Sequence, residues 1–206
     1  MLRLSLLVAL AALVGGCAFN PQAANLAPRA TVASSNEGRN VAVGVRVLDE
    51  RPSKSLGRRG AGLYGAAAEI TSAQDLAVVV DEQVKDALRK KGFRPVDYSP
   101  NGDVRLTVEL RLLEYSTSIG FWTGGIHVKG GLKAVASRGP ESYERLYRVE
   151  KEDRVVVVPT AEANEAMINA TLTELLSQLF DDIGLFRFLA APASAAPTTA
   201  PVGGGG

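Results

Sequence analysis

The sequence contains a single cysteine, Cys17, and the residues before it assign its thiol a specific chemistry. Residues 1–16 consist of a short basic start, an apolar run over Leu4–Val14, and two glycines. These are the parts of a secretory signal peptide, and the run is too short to cross a bilayer, which takes about 20 apolar residues. Small residues at Gly15 and Gly16 let an extended chain enter a peptidase site. We therefore predict a signal peptide that is cleaved between Gly16 and Cys17.

The tetrapeptide Val14-Gly15-Gly16-Cys17 resembles a bacterial lipobox, which implies acyl chains on the Cys17 sulfur and on its new amino group. The alternative is an ordinary signal peptide with an incidental cysteine. It is disfavoured because a lone thiol has no disulfide partner in the chain and is an oxidation hazard in an oxidising compartment. One acyl chain binds a membrane marginally, whereas several hold a protein there. Because Ala18 and Phe19 are not acidic, resemblance to enterobacterial lipoproteins favours the outer membrane, facing the periplasm.

No other residue pattern amounts to a catalytic signature. Gly60–Gly65 matches G-x-G-x-x-G, but a dinucleotide fingerprint directly follows a strand and opens a helix. Here the motif lies well past the preceding strand, and the acidic residue at a suitable distance, Asp81, falls inside a predicted helix. His127 is the only histidine, no nucleophile-elbow motif is present, and metal binding would require carboxylates alone to join His127. We predict no catalytic residues, no metal and no cofactor, and a hydrolase that uses His127 is the least favoured function.

Two groups of side chains are candidates for contact with a partner. Arg58 and Arg59 lie in a glycine-rich loop, where their guanidinium groups could pair with phosphate or carboxylate or remain simply solvated. Phe121 and Trp122 precede two glycines in an irregular segment. An exposed Trp122 would anchor a protein partner or stack on a sugar, whereas a buried one would close one end of the core. The sequence leaves both alternatives open.

Composition bounds the remaining possibilities. Removal of the signal peptide removes Arg3 from the 23 basic residues, which leaves 22 against 22 acidic residues and no net charge. Nucleic-acid binding is disfavoured because phosphate contacts need a basic surplus.

Residues 17–39 are rich in Ala, Asn, Pro and Ser, so we predict a lipidated cysteine followed by a flexible tether. Residues 190–206 are predicted to be a disordered Ala/Pro/Gly tail. One domain remains, over residues 40–189.

Two amphipathic helices and several alternating strands are predicted in this domain. The first helix begins near Asp75 and ends before Gly92, and the second begins after Thr160 and ends at Gly184. Strands are predicted over residues 41–48, 93–98, 104–112, 126–137 and 143–157. The fold class is therefore α+β, a two-layer sandwich with two helices on one face of a four- to five-stranded, mostly antiparallel sheet. The first helix is a right-handed crossover, which makes its flanking strands parallel.

Several short patterns in the domain resemble the YajG family of bacterial lipoproteins. They are the Asp-x-Arg-Pro end of the first strand at Pro52, Ser55-Leu56-Gly57, the Val-x-x-Ala-Leu-x-x-x-Gly-Phe helix end at residues 84–93, and the strand opening Gly102-Asp103-Val104. The resemblance implies an envelope lipoprotein built as a small periplasmic helix-on-sheet module. It supplies no catalytic residues.

Together these observations predict a non-enzymatic lipoprotein, anchored in a membrane by lipid, whose domain binds or scaffolds an envelope protein. The predicted contact residues are Arg58, Arg59, Phe121 and Trp122. The alternative is a lipoprotein that binds peptidoglycan or lipopolysaccharide through Arg58, Arg59 and Trp122.

Overall fold

The structure, a computed structural model, describes residues 20–59, 67–119, 124–155 and 159–192. Within these ranges the strands and helices are β1 (Gln22–Ala24), β2 (Ala42–Asp49), β3 (Gly57–Arg59), β4 (Ala68–Ser72), α1 (Leu76–Lys90), β5 (Arg94–Asp97), β6 (Val104–Ile119), β7 (Gly124–Arg138), β8 (Glu141–Val155), α2 (Ala161–Phe180) and α3 (Ile183–Ala190). A search of the described helices finds none with the length and apolar character needed to cross a bilayer.

The strands form one mixed sheet around β6, the longest strand in the described ranges. On one side of β6, β7 pairs antiparallel along its whole length, and β8 follows at the edge. On the other side, β2 runs parallel to the first half of β6, and β3 meets it at Tyr115. The order is β1-β4-β3-β6-β2-β5, and the sheet curls into a half-barrel around the helices.

The predicted two-layer sandwich with a four- to five-stranded, mostly antiparallel sheet and two helices is therefore wrong. The described sheet has eight strands, and four of its pairings are parallel. The strands that were not predicted, β1, β3 and β4, are three to five residues long. Alternation over so few residues is not visible in a sequence, and distant ladder partners stabilise these strands. A third helix, α3, is also present, and it was not predicted.

Other predicted features of the domain are confirmed. Asp75 caps α1, because its carboxylate accepts a hydrogen bond from the backbone N–H of Ala77. Gly92 follows the end of α1 with a φ of +82°, a conformation that favours glycine. β2 and β5, the predicted strands before and after α1, pair in parallel, although the unpredicted strands β3 and β4 lie between β2 and α1 in the chain. Local periodicity and capping signals were sufficient for this unit.

The core lies between the concave face of the sheet and the helices. α2 approaches β7 so closely that a Cβ atom at Gly130 would lie 2.4 Å from Cδ1 of Leu175. Most of the other core side chains are aliphatic, and aromatic rings such as Phe180 and Phe186 lie among them. The largest fully buried side chains are Tyr115, Leu56, Ile70, Leu88, Leu106, Leu110, Ile126, Leu132, Ile168, Leu172, Leu175 and Leu176.

The N-terminal segment of the described chain is packed on the helices. Residues 22–28 are extended and bury every second residue, namely Gln22, Ala24, Leu26 and Pro28. The first of these residues form β1, which pairs in parallel with β4. These residues belong to the stretch that composition assigned to the tether, and from residue 20 onwards the chain contacts the folded body.

Gly57 is a position at which we expect any side chain to be costly. Its φ is +135°, and a Cβ atom would lie 1.9 Å from the backbone oxygen of Tyr115. We expect Gly57→Ala to lower the free energy of unfolding by about 3 kcal/mol, since the strand backbone must move. Gly139, with a φ of +51° and open space around it, is the matched control. Urea unfolding should show that Gly139→Ala lowers the free energy of unfolding by only about 1 kcal/mol. Equal losses of stability in the two variants would contradict the predicted clash at Gly57.

Candidate functional site

The Asp-x-Arg-Pro sequence at the end of β2 forms a buried ion pair. Arg51 Nε donates to Asp49 Oδ1 at 2.8 Å, and Nη2 donates to Oδ2 at 2.9 Å. The side chains are only 3% and 9% exposed. A bidentate pair of this kind fixes the direction of the guanidinium plane as well as its position. The pair therefore sets the path of the chain where it leaves β2.

Lys54 completes this cluster from the solvent side. Its Nζ lies 3.0 Å from Asp49 Oδ2 and also donates to the Asp49 backbone oxygen at 3.0 Å. Burial raises the pKa of Asp49, but hydrogen bonds and charge from Arg51 and Lys54 outweigh it and lower the pKa to about 2. The carboxylate is therefore ionised at neutral pH.

The lowered pKa of Asp49 predicts a stability change in acid. The pKa falls from 3.8 to about 2 on folding, so the carboxylate stabilises the protein fully above pH 3.8 and loses this contribution as the pH falls through about 2. Between pH 6 and pH 2 we expect the wild type to lose about 2 kcal/mol more than Asp49→Asn does. Urea unfolding of both proteins at the two pH values measures this difference. Parallel losses would contradict the assignment.

Arg51 also lines an open groove with a volume of about 730 Å³. We call it the Arg51 groove. Its lining residues are Pro21, Arg51, Pro52, Ser53, Ser55, Gly57, Arg58, Ala67, Ala68, Glu69, Leu112, Leu113 and Glu114. The third guanidinium nitrogen, Arg51 Nη1, is buried and has no hydrogen-bond partner among the described residues. An unsatisfied buried donor costs about 1–3 kcal/mol, so Nη1 is a local cost of this fold.

The structure separates the two arginines predicted to act together. Arg58 and Arg59 are neighbours in β3, where successive side chains point to opposite faces. Arg58 is exposed, lines the Arg51 groove and donates to the Ala67 backbone oxygen at 3.1 Å. Arg59 is buried, and its Nη2 donates to the backbone oxygen of Asn20 at 2.7 Å. Of the predicted pair, only Arg58 is therefore placed to meet a partner.

The other predicted site residues lie outside the described ranges. They are Gly16, Cys17, Phe121 and Trp122. β6 ends at Ile119 and β7 begins at Gly124, so residues 120–123 connect these two strands.

His127 lies between a serine and a carboxylate on the convex face of the sheet. Ser118 Oγ is 3.2 Å from Nε2, and Glu152 Oε2 is 3.9 Å from Nδ1. A serine triad needs a hydrogen bond at both nitrogens, and 3.9 Å is too long for one. Glu152 is also 59% exposed, so water screens it. This geometry does not support a hydrolase.

A second buried carboxylate, that of Asp182, accepts hydrogen bonds on both of its oxygens. It caps α3 through the backbone N–H groups of Gly184 and Leu185, at 3.0 and 3.2 Å. The hydroxyl groups of Tyr143 and Tyr147 donate to Oδ2 at 2.9 and 2.5 Å. Burial raises the pKa of Asp182, but these bonds and Arg145 outweigh it and hold the pKa below its ordinary value. With its acceptors satisfied, this cluster is structural.

Sequence reasoning missed the role of both carboxylates. Asp182 falls inside the second predicted helix, which was expected to end at Gly184, whereas it caps α3, and the signal was an Asp directly before an apolar run. Asp49 and Arg51 were noted only as part of a family pattern. In the part of the chain that the structure describes, no group of three or more His, Cys, Asp or Glu side chains is placed to hold a metal ion.

Sequence comparison assigns the chain to a family. Residues 28–190 match the profile of a family described as "Uncharacterized lipoprotein". The chain belongs to this family. The predicted class, a bacterial lipoprotein, is thereby confirmed. None of the curated proteins searched matches the lipoprotein significantly.

Solved structures with a similar fold are distant in sequence. Protein XCC0632 from Xanthomonas campestris has a TM-score of 0.50 at 15% identity, over 77% of the lipoprotein and 93% of that chain. A neuraminyllactose-binding hemagglutinin homolog from Helicobacter pylori has a TM-score of 0.47 at 9% identity, over 79% and 94%. Lipoprotein GNA1162 from Neisseria meningitidis has 0.23 at 13%, over 68% and 97%. The first of these supports the fold of the domain and nothing beyond it.

Proposed function

We propose that the lipoprotein is a non-enzymatic component of the bacterial envelope, of the YajG type, that binds an envelope protein through the Arg51 groove. Acyl chains on Cys17 hold it in the outer membrane, facing the periplasm. The observation that carries the binding role is the open groove of about 730 Å³, whose lining places prolines and leucines beside polar groups.

The lining of the groove favours a polypeptide over a phosphate-rich ligand. Asp49 neutralises Arg51, so the remaining charged side chains are Arg58, Glu69 and Glu114, with an acidic excess. Lipopolysaccharide phosphates would be repelled by such a lining. The prolines and leucines of the lining supply apolar contact beside the polar groups, as protein interfaces do.

The same groove argues against catalysis. The pair of Asp49 and Arg51 is locked by two hydrogen bonds, so neither group is available to transfer a proton. Lys54 is 72% exposed and its charge is already paired with Asp49. A groove whose polar wall is fixed in this way suits recognition, and we assign no reaction to it.

Site-specific crosslinking in intact envelopes tests the proposal. A photo-reactive amino acid at Ser53, an exposed residue of the groove, should yield one specific adduct with an envelope protein. The same amino acid at Asn101, exposed at the opposite end of the sheet, is the positional control and should not. Phe121 and Trp122, the other predicted contact residues, are tested by the same method.

Variants of the groove show whether the Ser53 adduct depends on specific recognition or only on the partner being nearby. Arg51→Lys keeps the positive charge but removes the planar fork, so we expect the Ser53 adduct to fall at least about fivefold while the protein level is unchanged. Arg58→Ala should weaken the adduct less. An adduct with peptidoglycan or lipopolysaccharide instead of protein, or equal adducts at Ser53 and Asn101, would overturn the proposal.

A further inference from the structure

The first described residues are held along α2 by a regular set of hydrogen bonds. The backbone N–H groups of Asn25, Ala27 and Arg29 donate to side chains of α2, at 2.7, 2.8 and 3.0 Å. The acceptors are Glu165, Asn169 and Thr173, one on each successive turn. Two residues of extended chain advance about 6.6 Å and four residues of helix about 6 Å, so the two repeats match. The segment is thus clamped to the helix.

The clamp extends back to the first described residue. Asn164 Nδ2 donates to Gln22 Oε1 at 3.1 Å, and Gln22 Nε2 donates to the Ala161 backbone oxygen at 2.7 Å. Arg59 Nη2 also donates a hydrogen bond to the backbone oxygen of Asn20. Because Arg59 is buried, this last contact is part of the folded body. No free tether remains after residue 20.

The position of Asn20 limits how far the body can lie from the lipid anchor. Cys17 lies three residues before Asn20, and a fully extended chain spans about 3.5 Å for each of these three steps, or about 10 Å in total. A flexible tether over 17–39 would instead span about 25 Å on average. If Cys17 carries the acyl chains, as proposed above, the surface around Asn20 must lie at the headgroup layer.

The sheet register shows which end of the body this is. Asn20 lies beside Arg59, and β3 runs parallel to β6 towards the end of β6 at Ile119. β7 begins at this end with Gly124, and β8 finishes there with Val155. We call it the anchor end. The opposite end carries the β7–β8 turn and α3, because Arg138 donates to the backbone oxygen of Phe188.

The exposed charges of the anchor end are of both signs. Arg58 and Arg154 are exposed there, and so are Glu69 and Asp153. Anionic lipid would not be attracted to such a surface, whereas zwitterionic headgroups fit it without net repulsion. Contact held by a short covalent reach also depends little on salt, in contrast to contact held by a basic patch.

We propose that the anchor end rests on the zwitterionic headgroup layer, because Cys17 lies only three residues before Asn20. The strands then point away from the membrane, and α3 lies at the end of the domain farthest from it. This inference depends on the lipidation of Cys17 in the proposed function. It adds a fixed orientation, and it places the membrane-proximal wall of the Arg51 groove at Pro21, next to the anchor.

Fluorescence quenching of the mature lipidated protein in phosphatidylethanolamine–phosphatidylcholine vesicles tests this orientation. The lipidated Cys17 has no free thiol, so an introduced cysteine is the sole labelling site. Arg154→Cys and Ser142→Cys are both exposed and both lie in β8, about 40 Å apart along the strand. A quencher attached to lipid headgroups should quench the label at position 154 at least threefold more than the label at 142, in low salt and in high salt.

A longer linker provides the control. Insertion of 20 Gly/Ser residues between Phe19 and Asn20 gives a mean reach of about 25 Å and should remove the difference between the two labels. Equal quenching in the unmodified, vesicle-bound protein would overturn the orientation and leave the lipid anchor intact. A difference that survives the insertion would overturn the short reach as its cause. Protein that does not sediment with vesicles would overturn the anchor and the orientation together.

Discussion

Replacing Cys17 with serine is expected to release the lipoprotein from membranes. A serine hydroxyl cannot form the thioether that lipid attachment at this position needs, so no acyl chain would be added. Each buried methylene contributes about 0.8 kcal/mol, and several chains are needed for stable attachment, so we expect the membrane-bound fraction to fall about tenfold or more. The remaining apolar run over Leu4–Val14 is too short to span a bilayer by itself.

Fractionation of envelopes after a high-salt wash measures the effect of Cys17→Ser. Ser34→Ala, an exposed position beyond the clamped segment, serves as the control and should fractionate as the wild type does. Mass spectrometry of the mature amino terminus should show acyl chains on the wild type and none on Cys17→Ser. If the serine variant is retained in the membrane fraction as strongly as the wild type, the lipid anchor and the proposed orientation are both contradicted.

Asp182→Ala is expected to be the most destabilising of the substitutions considered. It removes the cap of α3, which contributes about 1 kcal/mol, and leaves the buried hydroxyl of Tyr147 without its acceptor, which costs about 1–3 kcal/mol. Tyr143 and Arg145 lose a partner as well. We expect the free energy of unfolding to fall by about 4 kcal/mol, measured by urea unfolding at pH 7.

The neighbouring carboxylate provides a matched control for this prediction. Asp181 is exposed, and Asp181→Ala should change the stability by less than about 0.5 kcal/mol. Asp182→Asn keeps an oxygen for the α3 cap but loses the charge, so its cost should be intermediate. Comparable losses for Asp181→Ala and Asp182→Ala would contradict the central position of Asp182.

The two proposals together restrict the partner. The Arg51 groove includes Pro21, one residue beyond the clamped Asn20, so the groove lies close to the headgroup layer if the anchor end rests on it. A protein that reaches the groove must then be present at the membrane surface. We therefore expect the Ser53 adduct to contain a membrane-associated protein.

The candidate site was only partly predictable. Arg58 was selected because a guanidinium in a glycine-rich loop is a good anion ligand, and the structure places it in the groove. Arg59 was selected for the same reason, but strand pairing of β3 with β4 turned its side chain into the body. Nothing in the local sequence distinguishes these two neighbours. Only the register of a three-residue strand decides which of them is exposed.

By itself the sequence determined the class of the protein, the long helices α1 and α2 and the long strands, because each of these depends on residues that are contiguous in the chain. Only the tertiary structure decided the number of strands, the buried pairing of Arg51 and the clamping of residues 20–29. The physical reason is the separation of the partners. Asn25 and Glu165, for example, lie 140 residues apart, and no local pattern specifies a hydrogen bond over that distance.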